Sequence, residues 1–406
     1  SRCGNTDIMK MLIDAKAPLE TTLKEVNFTS SSPLLAAVTS QNVPAMRVLI
    51  EAKAATDIPG TEFCFELLSR AIPDGRQSQN DSVLRLLLDT HPSLASKQYS
   101  SRLLSIAYQR RNIPALQLLL ERNALVDEAT VGRVPIFYQA VSDHMTPVVK
   151  LMIDAKADLN LLVNNKPPLA CAVVNGRLEM MKLLLDAKAA VDGGKGLAIV
   201  WATRRGDAKA VRILLDAKAS LESRYFHQTY LLSRAISGGH APIVSMLLAA
   251  KAPVVSPPGI DDPLLDASES GNTDIMKMLI AAKAPIEAAA GKPSPLRVAI
   301  NYERLDAMRL LFEAKAATDI PGTQYGHELL SRAMGSALGR NEKVLSLLLD
   351  ENPSLVSSSI IPGSLGTAYE RKRFTLVYTL LEKHASVDGV TVGGIPILYQ
   401  AASDHR

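Results

Sequence analysis

The side chains that could do chemistry in this chain are few and scattered. Seven histidines include no H-E-x-x-H, and no Cys/His group has the spacing of a zinc site. No G-x-S-x-G occurs. Gly193-Gly-Lys-Gly196 has part of a phosphate-loop composition, but no Ser or Thr follows the lysine. It reads as a connector between elements. Three cysteines (Cys3, Cys64 and Cys171) share no close spacing and are odd in number. They fit small apolar fillers in a reduced, intracellular, cytoplasmic protein. These absences predict a non-catalytic chain without cofactor or metal.

The charged residues that do recur are lysines in the context Ala-Lys-Ala: Lys16, Lys53, Lys156, Lys188, Lys218, Lys251, Lys283 and Lys315. Asn123 and His384 take the same place in two further segments. Successive corners mostly lie 30 to 33 residues apart, and their lysines suggest a cationic ladder for an acidic partner. An acid sits two residues earlier in most segments, at Asp14, Glu51, Asp154, Asp186, Asp216 and Glu313. Adjacent ladders of opposite sign largely cancel. Lysine also suits a helix C-terminus, where unpaired carbonyls carry partial negative charge. The ladder therefore reads first as a set of helix stops.

What must position these lysines is periodic. Sixteen residues before nine of these corners lies an alanine, and twelve such alanines mark the chain from Ala37 to Ala401. The residue three before each alanine is apolar, from Leu34 to Leu398. Residues 166–192 are the type segment. Pro168 opens a first helix, where its missing N–H is no loss. Asn175-Gly176 ends that helix, because glycine accepts the left-handed conformation of a helix stop. Leu178, Met181, Leu184 and Leu185 then show the spacing of a second amphipathic helix. The small alanine lets neighbouring helices approach closely. A fixed period of this size means stacked units rather than a globular enzyme.

On these residues the chain resembles the ankyrin repeat family. Ser-Pro-Leu-Leu-Ala-Ala-Val at 32–38 follows the family's T-P-L-H-x-A-A, and Leu-Leu-Asp-Ala-Lys-Ala at 184–189 follows its L-L-x-x-G-A. Two features depart from the pattern. The histidine of the first motif is absent throughout, and the glycine of the corner is replaced, mostly by lysine. If the corner stays left-handed, each replacement costs roughly 1 kcal/mol. The resemblance implies an all-α solenoid with short β-hairpin fingers, and a curved stack that binds other proteins through its fingers and inner helices.

The whole chain, 1–406, is expected to be a single repeat array of about twelve units, the first and last incomplete. A block of eight units is duplicated, so that 4–144 resembles 271–405. One unit departs from the period in each copy, with extra loop residues at 74–81 and 335–342. They read as tolerated surface insertions, or as docking loops. The period is cut at both ends, which leads us to expect that the native polypeptide continues beyond them.

The resemblance makes the fingers and inner-helix ends the candidate partner-binding sites. Tyr225, Phe226, His227 and Tyr230 load one finger with aromatic rings, and Phe63, Phe65, Tyr325 and His327 are assigned to other fingers. Arg110, Arg204, Arg205 and Tyr302 fall at inner-helix ends, and Trp201 precedes its alanine. Aromatics and arginine dominate binding hot spots. The partner is expected to be a protein. A net charge of +4 and 4% aromatic residues argue against nucleic acid. No run of 18 apolar residues offers direct membrane insertion. The function that follows is a protein–protein interaction scaffold. Alternatives are the targeting arm of a larger enzyme or channel, or a spacer in a larger complex.

Overall fold

A computed structural model describes the chain apart from residues 1–3, 18, 20–31, 55–61, 77–80, 91–96, 222–230, 256–261, 288–292, 316–323, 336–341, 358–359 and 405–406. Two compact units divide it, Ser1–Ala198 and Ile199–Arg406. Both are built from pairs of antiparallel helices, with two short hairpins among the described residues.

In the first unit, α1 (Gly4–Asp14) precedes the pairs α2 (Pro33–Thr39) with α3 (Val43–Glu51), and α4 (Glu62–Arg70) with α5 (Ser82–Thr90). Next come α6 (Lys97–Gln109) and α7 (Ile113–Glu121), then the hairpin β1 (Thr130–Val131) and β2 (Val134–Pro135). It leads into α8 (Ile136–Ser142) and α9 (Thr146–Asp154), followed by α10 (Pro168–Val174) and α11 (Leu178–Asp186). The helix α12 (Gly193–Arg205) begins in this unit and ends in the second.

The second unit continues with α13 (Ala208–Asp216), α14 (Leu231–Ser237) and α15 (Ala241–Ala249). The pairs α16 (Pro263–Ser270) with α17 (Thr273–Ala281), and α18 (Pro295–Asn301) with α19 (Leu305–Glu313), follow. Then come α20 (Gln324–Gly335) and α21 (Glu342–Glu351), a 3₁₀ turn at Pro353–Ser357, and α22 (Ile360–Glu370) with α23 (Phe374–Glu382). The hairpin β3 (Thr391–Val392) and β4 (Ile395–Pro396) enters α24 (Ile397–Ser403). Thr130 pairs with Pro135, and Thr391 with Pro396.

Local chemistry sets the helix starts. Ser32, Asn42, Asn112, Asp207, Asn272 and Ser294 each accept the backbone N–H three residues on, which satisfies a donor the helix leaves open. Proline fixes the start of α2, α10, α16 and α18 close to the marker alanine. Three inner helices that lack it reach further back. Hence α4, α12 and α20 start nine residues before Ala71, Ala202 and Ala333. Two expectations are corrected by this. Gly193-Gly-Lys-Gly196 is the first turn of α12, not a connector. Phe63 and Phe65 lie on α4, and Tyr325 and His327 on α20, so none of the four is in a finger.

The corners keep the left-handed conformation without glycine. The φ values run from 59° at Lys53 and Asn123 to 69° at Lys188, and Lys16, Lys156, Lys218, Lys251, Lys283, Lys315 and His384 lie between. At each, the corner N–H donates to the carbonyl three residues back, and at every corner whose next residue is described that residue's N–H reaches five back, as from Lys218 to Leu215 and Ala219 to Leu214, both 2.9 Å. Each such residue costs about 1 kcal/mol relative to a relaxed backbone. Gln41, Arg111, His144, Glu303 and Lys372 adopt the same conformation between paired helices, where Gly176, Gly206, Gly239 and Gly271 serve elsewhere.

The core runs between the paired helices. Eleven of the marker alanines, from Ala37 to Ala368, are buried, nine of them completely. The apolar residue three before each of these eleven is also buried. A larger side chain in place of the alanine would overpack a seam of interior density.

Candidate functional site

The inner-helix ends are held by side chains that cross from one helix pair to the next. In the first unit the Arg110 guanidinium donates to the carbonyls of Ser69 and Ile72, at the end of α4. Burial lowers its pKa, the cost of taking this cation partly out of water. Asn112, fully buried, caps α7 and donates to the Pro73 carbonyl at 3.1 Å. Gly75 N–H returns a bond to the Arg110 carbonyl at 2.7 Å. The first turn of the 74–81 insertion is thereby tied to the neighbouring pair, and residues 77–80 lie outside the described residues. Arg110, expected as a contact residue, is occupied within the chain.

A second stitch escaped the sequence reading. Tyr108 donates its hydroxyl proton to Asp143 at 2.7 Å, and Gln139 donates to the other carboxylate oxygen at 2.9 Å. Burial, then the bond to Asp143, pushes ionisation of Tyr108 far above the usual tyrosine range. The same trio recurs in the second unit as Tyr369, Asp404 and Gln400, at 3.0 and 2.8 Å. The sequence signal was there: tyrosine and aspartate stand 35 residues apart in both copies. Tyr369, Asp404, Glu370, Lys372 and Phe374 border a cleft of about 340 Å³ beside the β3–β4 hairpin. Glu370 accepts the Gly393 N–H there at 2.9 Å.

Other expected contact residues are placed as follows. Arg204 and Arg205 are exposed at the end of α12, and the Arg204 guanidinium lies 5.4 Å from the ring centre of half-exposed Trp201. Tyr302, 49% exposed, follows α18 and bonds to Glu269, which raises its pKa. Phe65 is stacked: Arg102 lies 3.8 Å above its ring, and Tyr99 is 5.9 Å away between centroids. Tyr225, Phe226, His227 and Tyr230 lie outside the described residues. Among the described residues the structure thus joins Trp201 to Arg204 and Tyr302 to Glu269.

Between the pairs of the first unit, loop acids and amides accept backbone donors. Asp127 takes the Asp158 N–H at 2.9 Å and Asn160 takes the Ala190 N–H at 2.8 Å. In the second unit Arg297 and Arg332 share Glu328, each at 2.9 Å. Among the described residues no group of three or more His, Cys, Asp or Glu is placed to hold a metal ion. Among the same residues no helix is long and apolar enough to cross a membrane.

Residues 104–194 match the family model for ankyrin repeats, in three copies. No curated protein matches the chain. Among solved structures, the ankyrin repeat domain of Bcl-3, described as a unique member of the IkappaB protein family, is similar at 22% identity. The likeness covers 54% of this chain and 99% of that one, with a TM-score of 0.46. The matched segment holds α7 to α11, with the same buried alanines and left-handed corners as the helix pairs outside it. The helix pairs thus form an all-α repeat solenoid with short β-hairpin fingers, and residues 104–194 within it are similar to ankyrin repeats.

Proposed function

We propose that the chain is a non-catalytic scaffold that binds a protein partner through exposed inner-helix ends. Ankyrin repeats are in general protein–protein interaction modules, which gives the class. The observation that carries the finer reading is the stack of Arg204 on Trp201, the chain's one tryptophan, with Arg205 exposed beside it. An aromatic body under a guanidinium offers a partner apolar area and directed hydrogen bonds together. Tyr302 extends the same kind of surface in the second unit. Arg110 is the least suited of the candidates, because its donors already serve Ser69 and Ile72.

The test is affinity capture from native lysate by the wild-type chain and by Trp201→Ala/Arg204→Ala, with mass spectrometry of what is retained. The expected result is one or more proteins lost by the variant, whose thermal unfolding stays within a few degrees of wild type. Retention of the same proteins by both would refute this surface.

A further inference from the structure

All the corners but two have an acid two residues before them. At Lys16, Lys53, Asn123, Lys156, Lys188, Lys218, Lys315 and His384 the residue two before the corner is Asp or Glu. At Lys251 and Lys283 it is Ala249 and Ala281. The duplication isolates the change: residues 4–18 and 271–285 are identical except that Asp14 stands where the later copy has Ala281.

The two unmatched corners are neighbours. They terminate α15 and α17, which pack on each other. Both lysines are exposed, and among the described residues no ion pair engages either one. The last turns of the two helices, Met246–Ala249 and Met278–Ala281, hold no acid, and Glu287 is the next acid along the chain from Lys283. On either side, Lys218 and Lys315 are exposed too, but Asp216 and Glu313 are exposed beside them. The left-handed backbone matters here. At φ 63° glycine would be the relaxed choice at both corners, yet a cation stands at each.

We propose that Lys251 and Lys283 form a docking edge for an extended acidic segment of a partner protein, with carboxylates three residues apart. Packed helices lie ~10 Å apart, and in an extended polyproline-II chain, with three residues per turn and ~3.1 Å each, every third side chain returns to the same face ~9 Å further on. An acidic side chain at every third position therefore meets the two corners in turn, and Asp216 and Glu313 bound the edge on either side. Nucleic acid is the weaker fit, because the net charge is +4 and aromatic residues make up 4% of the chain. The inference rests on the reading of the chain as a protein-binding module. It uses the outer-helix corners, not the inner-helix ends.

The experiment is fluorescence anisotropy of the full chain with a labelled peptide carrying glutamate at every third position. A peptide of equal composition with its glutamates in one block and a duplex DNA of equal charge serve as competitors. The expected result is that Lys251→Gly/Lys283→Gly weakens the spaced peptide about tenfold at low salt. Because glycine suits this backbone, the variant should unfold at or above the wild-type temperature, so the loss cannot come from misfolding. Ala249→Asp/Ala281→Asp should weaken binding similarly with both lysines intact, whereas Lys16→Gly should not. Unchanged affinity in both double variants, or equal binding of the block peptide, overturns the proposal. Tighter binding of the DNA overturns it in favour of a phosphate polymer. Failure of the Trp201→Ala/Arg204→Ala capture would remove the inner-helix site and leave this edge standing, since the variants share no residue.

Discussion

Residues 4–18 and 271–285 carry one sequence apart from a single position, and the two copies meet opposite environments. In α17, Ile275, Met276 and Leu279 are completely buried, enclosed by α15, α16 and α19. In α1, which packs on α3, Ile8 is 56% exposed and Leu12 55%. The backbone differs at the start, where Gly4 is helical and Gly271 is a left-handed stop, but not at the corner. Lys16 and Lys283 have φ of 60° and 63°, and both donate to the carbonyl three residues back at 2.9 Å. The hairpin helices tell the same story. Phe137 on α8 is buried, while Leu398, its counterpart on α24, is 81% exposed. The corner is a property of the segment, and burial is a property of its neighbours.

Four measurements can break or sharpen this comparison. Phe137→Ala should cost ~3–5 kcal/mol in urea unfolding, and Leu398→Ala within ~0.5 kcal/mol. Similar losses would mean that α24 is as well packed as α8. Leu279→Ala should cost ~2–5 kcal/mol, against under ~1 kcal/mol for Leu12→Ala, although the two leucines occupy identical sequence.

Tyr108→Phe should cost ~1 kcal/mol by removing the bond to Asp143, and Tyr369→Phe less, because Tyr369 is more exposed. The sign of the pH effect follows from the raised ionisation of Tyr108. Above the unfolded tyrosine pKa of about 10, the folded state holds a proton that the unfolded chain releases. Stability therefore falls as the pH rises past that value, and Tyr108→Phe should reduce the fall. An alkaline unfolding profile unchanged by the substitution would contradict this assignment.

The smallest effect concerns the corners. Lys16→Gly and Lys283→Gly should each stabilise by up to ~1 kcal/mol, reduced by the lost attraction of lysine for the helix end, ~0.3–1 kcal/mol. The two increments should agree in chemical denaturation, because the local backbone is the same in both copies. Unequal increments would show that the corner term depends on packing after all.

Much of the repeat was legible in the residues. Alanine sixteen before the corner, proline at the helix start and apolar pairs before the stop gave the units, because each acts over one or two helical turns. The early starts of α4, α12 and α20 were not legible. Nothing local stops those helices once proline is absent, so Phe65 and its neighbours moved from a finger onto a helix. The stitches were less legible still. Tyr108–Asp143 and Arg110–Ser69 join residues 35 and 41 apart, where local propensity carries no information.

By itself the sequence determined the repeat class, the places of the corners and the charges on them, since these depend on short-range sterics and residue type. Only the tertiary structure decided which of two nearly identical helices is buried, which arginine is already occupied and which lysine corners are adjacent. Those outcomes depend on desolvation and contact between segments a full repeat apart, and such contacts exist only once the helix pairs have packed.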